Sequence, residues 1–244
     1  GPEHPDVAYG LDTLSVLLGD QRRYAEAEPL ARRALAIWET HRGPDNTLVA
    51  HSLLTLAYLY DDQMRYADAE PLYRRALGIL EGALGPDHND LVLPLNGLAG
   101  GYDRRGMYEE AEALYRRALD IDPDYADALV ELAGACETRY RLDNDSIWLE
   151  HGANYARRAV AIAPDLPAAQ LAAGRFELVN RSVQKAIDHL ERAIALDPLG
   201  ITAYLYLADA YEALGESQAA ESAMARAVRT APDDWLTYYE IGRF

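Results

Sequence analysis

The chain superimposes on itself when shifted by 42 residues, and this constrains its fold more than any other feature. Tyr24-Ala-Glu-Ala-Glu-Pro-Leu30 falls on Tyr66-Ala-Asp-Ala-Glu-Pro-Leu72 and on Tyr108-Glu-Glu-Ala-Glu-Ala-Leu114. The same shift aligns Arg32-Arg-Ala-Leu35, Arg74-Arg-Ala-Leu77 and Arg116-Arg-Ala-Leu119. It also aligns Gly1-Pro-Glu-His4, Gly43-Pro-Asp-Asn46 and Gly85-Pro-Asp-His88. Further on the period contracts: Pro123, Pro164, Pro198 and Pro232 are spaced by 41, 34 and 34 residues. Each proline ends one apolar helical pattern and opens the next unit. A hairpin this short cannot bury its apolar face alone, so the units must stack on their neighbours.

Small residues recur at three places in every unit. The first helix carries Ser15, Ala57, Ala99, Ala133, Gly174 and Ala208. The second carries Ala27, Ala69, Ala111, Gly152, Ala186 and Ala220 early, and Ala34, Ala76, Ala118, Ala159, Ala193 and Ala227 late. Antiparallel helices approach most closely where side chains are this small. Leu14, Leu56, Leu98, Leu132 and Leu207 are expected to fill the core between them. Tyr60, Tyr102 and Tyr211 recur four residues later, with Cys136 in the same register as a small buried hydrophobe. Gly106 and Gly215 fall in the turn, where a left-handed backbone suits glycine. The 41-residue unit holds a seven-residue insertion near Arg141-Leu-Asp-Asn-Asp-Ser-Ile147. Its Asp143-Asn-Asp-Ser146 segment lacks the glycine and distal acid of a calcium loop, and is read as turn and helix-cap chemistry.

These residues identify a family resemblance. The 34-residue units resemble tetratricopeptide repeats, through Tyr204, Leu207-Ala208, Tyr211, Gly215, Ala220, Ala227 and Pro232. The first three units resemble the 42-residue kinesin-light-chain type. The resemblance implies an all-α, right-handed superhelix of six helix–turn–helix repeats. These span about 4–43, 46–85, 88–123, 124–164, 165–198 and 199–232, followed by a partial seventh helix over 233–244, in one array. It further implies that the first helices line a concave groove for an extended peptide or a partner helix. The chain departs from the chaperone-tail clamp, which uses Lys, Asn and Arg along the groove. Tyr9, Thr13, His51, Thr55, Leu93, Gly97, Asp127 and Glu131 stand there instead. Of the first-helix asparagines of kinesin light chains only Asn96 is present, so cargo recognition of that kind is not expected.

Helical periodicity puts Asp12, Thr55, Tyr58, Asp62, Asn96, Gly97, Gly100, Asp103, Asp127, Glu131, Arg175, Tyr206 and Asp209 on the groove face, with Val16 and Gly19 in the first unit. Gly97, Gly100 and Gly134 suggest a recess with aromatic and acidic walls, fit for a cationic or amine-bearing group beside an apolar one. The competing reading is local irregularity, since Pro94, Gly97, Gly100 and Gly101 all weaken a helix. Glu28/Arg32, Glu70/Arg74 and Glu112/Arg116 have the favourable acid-first spacing and read as a solvated, self-neutralised outer stripe.

The chain has 40 acidic against 23 basic residues, a net charge of −17. That balance opposes binding to phosphate backbones and anionic membranes, and favours basic or mixed-charge protein partners. Lys185 is the only lysine, a bias of base composition with no functional weight. A lone cysteine precludes an internal disulfide, and no stretch approaches the about 20 apolar residues of a membrane span. No signal peptide is recognised, and a cytoplasmic site is expected. Six histidines lack metal-ligand spacing, and Gly97-x-x-Gly100-Gly101 has neither the lysine nor the strand of a phosphate loop. Neither cofactor, metal nor catalysis is expected. The sequence therefore points to an interaction scaffold, with a regulatory arm of a larger enzyme as the alternative. Trp235, Tyr238 and Tyr239 mark an apolar end suited to self-association.

Overall fold

The computed structural model describes residues 3–230. Among them are twelve α-helices and one short 3-10 helix, with no strand. They fall into two compact units, divided between Pro123 and Asp124. The first unit holds α1 (Pro5–Asp20), α2 (Tyr24–Arg42), α3 (Thr47–Asp61), α4 (Tyr66–Leu84), the 3-10 turn Asn89–Leu91, α5 (Val92–Asp103) and α6 (Tyr108–Ile121). The second holds α7 (Ala126–Asp143), α8 (Ile147–Ile162), α9 (Pro167–Val179), α10 (Val183–Leu196), α11 (Ile201–Ala213) and α12 (Ser217–Thr230). Within each unit consecutive helices pair as hairpins, and each hairpin packs on the next. The expected partial helix and the apolar end at Trp235, Tyr238 and Tyr239 lie outside the described residues.

The loop motif acts at both of its ends. Gly43 and Gly85 close α2 and α4 at φ 85° and 94°, which glycine adopts without strain. Three residues later a side chain caps the next helix. His4 Nδ1 accepts from the Asp6 amide at 3.2 Å, Asn46 Oδ1 from Leu48 at 3.0 Å and His88 Nδ1 from Asp90 at 3.2 Å.

The recurrent small residues are buried throughout: Ser15, Ala27, Ala34, Ala57, Ala76, Ala99, Ala111, Ala118, Ala133, Ala159, Ala186 and Ala208 all have no exposed surface. Gly152 and Gly174 occupy the same register because a β-carbon there would lie 2.2 Å from the Phe176 ring and 2.7 Å from Leu190 respectively. Leu56, Leu98, Leu132 and Leu207 are 0–4% exposed, as expected. Leu14 is the exception at 46%. Its register faces the preceding hairpin, and no earlier hairpin among the described residues packs on α1.

The insertion lengthens α7 to 18 residues, against 13 in α9 and α11. Asn144 then turns the chain at φ 58°. Asp143 Oδ1 accepts from the Asp145 amide and Asp145 Oδ1 from the Ile147 amide, both at 3.0 Å. Trp148 donates its indole N–H to Asp143 Oδ2 at 2.8 Å. These bonds, first among them that from the Asp145 amide, hold the Asp143 carboxyl below its ordinary pKa.

Candidate protein-interaction face

In the first unit α1, α3 and α5 lie side by side, and an open cleft of about 420 Å³ runs across them. Val16, Gly19 and Asp20 come from α1; His51, Leu54, Thr55, Tyr58, Leu59 and Asp62 come from α3 and its C-cap; Leu93 comes from α5. Val16, Tyr58 and Leu93 are 47%, 38% and 53% exposed, so one large apolar side chain from each helix faces solvent here. Gly19 is needed for the walls to meet, because a β-carbon there would lie 2.7 Å from Leu59 Cδ2.

Tyr58 is held from behind. Its ring meets Tyr73 of α4 edge-on, with centroids 5.6 Å apart. Burial, with the Asp61 charge beside it, pushes its phenol up to about 12. Tyr73 in turn donates to Asp61 Oδ2 at 2.7 Å. Burial raises the Asp61 carboxyl pKa against that hydrogen bond, and its Oδ1 is buried without a hydrogen-bond partner.

Of the thirteen residues expected on the groove face, three line this cleft: Thr55, Tyr58 and Asp62. Asp12 turns inward, accepting from Trp38 Nε1 at 3.1 Å and Ser52 Oγ at 2.7 Å, and burial raises its pKa. It ties α1 to α2 and α3 and does not face the cleft. Gly97 opens no recess, because the room it leaves holds the Tyr73 ring, 2.5 Å from where a β-carbon would stand. The Gly100 position is likewise approached to 2.9 Å by the Arg104 guanidinium. Asn96 is half-buried with Oδ1 unbonded, and Asp103 is half-buried with its pKa raised by burial against the pull of Arg104. The irregularity expected from Pro94, Gly97, Gly100 and Gly101 is confined to the first turn, Asn89–Leu91, which is 3-10, and α5 runs unbroken over all four residues.

In the second unit Asp127 and Glu131 are exposed on α7 and Asp209 on α11, while Gly134 has open space before its α-carbon. Arg175 of α9 pairs with Glu137 of α7, and its guanidinium lies 5.1 Å from the Tyr206 ring centre on α11. Sequence reasoning missed Glu137, although the repeat shifts place it in register with Asp61, Asp103 and Glu212. The arginine expected to serve a partner is thus already neutralised inside the unit.

The outer stripe is also more than self-neutralised. Glu28 and Arg32 pair at 2.9 Å as expected, but Tyr60 of the next hairpin donates to Glu28 at 2.9 Å and Arg65 reaches it at 3.2 Å. Arg32 also donates to the Tyr60 hydroxyl. Glu70 repeats the pattern with Arg74 at 3.0 Å, Tyr102 at 2.9 Å and Arg105 at 2.6 Å. The second arginine of each pair reaches back as well: Arg75 to Glu39 at 2.7 Å and Arg117 to Glu81 at 2.6 Å. The recurrence of Tyr60/Tyr102 and of Glu39/Glu81 at the 42-residue shift was the available signal.

Hairpins with small residues at every crossing and a side chain-lined first-helix face define an α-helical repeat protein. Two family models described as tetratricopeptide repeat match the chain, one over 6–82 and 48–124 and the other over 180–240. The chain belongs to the tetratricopeptide-repeat family. No curated protein sequence matches it significantly. Among solved structures it is similar to pilF of Pseudomonas aeruginosa, at TM-score 0.71 and 16% identity over 98% of this chain and 97% of that one. It is similar to a chain of the APC/C Cut9–Hcn1 hetero-tetramer, at TM-score 0.80 and 13% identity over 98% of this chain and 43% of that one. It is also similar to YrrB, a TPR protein described as having an unusual peptide-binding site, at TM-score 0.55 and 17% identity over 86% of this chain and 98% of that one. These identities establish fold. Among the described residues no group of three His, Cys, Asp or Glu side chains could hold a metal ion, and no helix is long and apolar enough to cross a membrane.

Proposed function

We propose that the chain is a non-catalytic scaffold that holds a basic or amine-bearing peptide or helical segment on its first-helix face. The observation that carries this reading is the exposed cleft of the first unit, where apolar walls from three helices stand beside two carboxylates and the lining includes no arginine or lysine. The net charge of −17 adds long-range attraction for a cationic partner. YrrB, which shares the fold, is described as carrying a peptide-binding site, and that supports the same use of this face. The test is an immobilised peptide array probed with the whole chain, ranked by peptide charge. Cationic peptides should dominate, and Tyr58→Ala should lose them. Equal retention of acidic and basic peptides would refute the reading.

A further inference from the structure

The cleft across α1, α3 and α5 has two chemically different ends. Val16, Tyr58 and Leu93 supply its exposed apolar wall. Asp20 and Asp62 stand where α1 and α3 finish, so each carboxylate adds to the negative end of a helix dipole. Among the described residues neither Asp20 nor Asp62 has an ion pair. Elsewhere in the unit the partly buried glutamates are locked by arginine: Glu28, Glu39, Glu70 and Glu81 all are. The 42-residue shift that relates Asp20 to Asp62 brings Arg104 to the same register one repeat later. That arginine lies over Tyr66, 5.6 Å from its ring centre, and does not line the cleft.

We infer that this cleft seats a leucine-sized apolar side chain of a partner protein segment whose adjacent residue is arginine or lysine, with the apolar group between Val16, Tyr58 and Leu93 and the cation toward Asp20 and Asp62. The inference rests on the scaffold reading above and adds the seat, the anchor and their polarity. An apolar group alone would leave two carboxylates beside a desolvated wall, and a cation alone would leave that wall in water. A segment carrying both satisfies each end. The second unit has Gly134, Arg175 and Asp209 in the register of Tyr58, and so lacks the apolar wall.

Three synthetic peptides of one Gly/Ser frame test this against the whole chain, labelled with nitrogen-15: one with Leu-Arg at its centre, one with Ala-Arg and one with Leu-Glu. The Leu-Arg peptide should shift the amide resonances around Val16, Tyr58 and Leu93, and bind about tenfold more tightly than either control. Asp20→Asn combined with Asp62→Asn should weaken it about fivefold to tenfold at low salt, a gap that narrows as salt rises. Val16→Ser should weaken it with no dependence on salt. All three positions are exposed, and an unchanged circular dichroism melt would confirm that the fold is kept. Equal affinity for Leu-Arg and Leu-Glu, or an unaltered affinity of the double variant, overturns the inference. Shifts confined to the neighbourhood of Arg175 and Tyr206 overturn it while leaving the scaffold reading intact. Shifts on no first helix with any cationic peptide overturn both.

Discussion

The two units solve the same stacking problem with different materials. In the first, α2 and α4 run for 19 residues; in the second, α10 and α12 run for 14. The added turn is not spare length. It carries Trp38 and Leu80, at 1% and 0% exposure, and the acids Glu39 and Glu81 that receive an arginine from the next hairpin. The tyrosines at the end of the next first helix close a four-membered polar cluster on Glu28 and again on Glu70. In the register of those glutamates α8 and α10 have Ala153 and Ile187, neither of which can anchor such a cluster; Glu221 takes that register only on α12, the last described helix. The second unit's hairpins meet through apolar fill, such as Phe176 of α9 against Gly152 of α8, with single pairs such as Arg226–Glu191 at 2.7 Å. A longer repeat thus joins successive hairpins by clusters of directional bonds as well as by packing, and a shorter one by packing with isolated ion pairs such as Arg175–Glu137 and Arg226–Glu191.

The largest blow to the first unit should come from Trp38→Ala. It removes a fully buried ring and leaves Asp12 without its indole donor, so a loss of about 3–5 kcal/mol is expected. Urea unfolding followed by circular dichroism measures it, and a loss under about 1 kcal/mol would show that the added turn is dispensable.

Ala76→Leu should cost about 1–3 kcal/mol by overpacking a crossing that has no exposed surface. An unchanged melting temperature would refute the repeat register itself.

Next in size are Tyr60→Phe and Tyr102→Phe, each expected to cost roughly 0.5–1.5 kcal/mol through the lost bond to glutamate. Tyr211→Phe in the second unit should leave stability unchanged, since Ile187 stands where a glutamate would receive its hydroxyl. If all three variants melt alike, the polar clusters contribute nothing and the contrast between the units collapses.

The smallest effect is a slope. Hydrogen bonds from Arg105, then Tyr102 and Arg74, hold the Glu70 pKa below its ordinary value of 4.5 against the effect of burial. A depressed folded-state pKa contributes stability that is present above 4.5 and lost as pH falls through the folded value. Burial raises Asp61, so its contribution runs the other way, present below 3.8 and lost as pH rises through its folded value. Glu70→Gln should therefore flatten the acid limb of a stability–pH curve below 4.5, and Asp61→Asn should steepen it. Parallel curves for both variants would exclude this account.

The fold was legible because it is written in periodicity. The alanines at the crossings, the capping histidines and the glycines at helix ends each follow from local chemistry that a sequence displays. Leu14 misled because periodicity reports which face is apolar and not whether a neighbour covers it. Asp12 misled because helical register placed it at the groove edge, while a tryptophan 26 residues away drew it inward. Gly97 looked like an open floor because nothing in the first helix announces the Tyr73 ring behind it. The arginine stripe was read along one helix, where i to i+4 pairing is visible. Its bonds to the following hairpin depend on how far two helices are offset, and a single helix does not encode that. In the cleft, Val16, Gly19, Thr55, Tyr58 and Asp62 were foreseeable. The contrast between Asp20 and Asp62 and their paired neighbours becomes visible only once the surrounding glutamates have been assigned their arginines.

The tight corners inside the hairpins carry a last consequence. Arg22, Met64 and Arg181 adopt φ of 58–59°, where Gly106 and Gly215 stand in the equivalent corners at 75–76°. A side chain in that conformation is held at a cost of order 1 kcal/mol, which glycine escapes. Met64 is 76% exposed, so little else depends on it. The corners therefore act as separate dials, one to a hairpin. Turning one would change how often that hairpin opens in hydrogen exchange while leaving the first-helix face untouched.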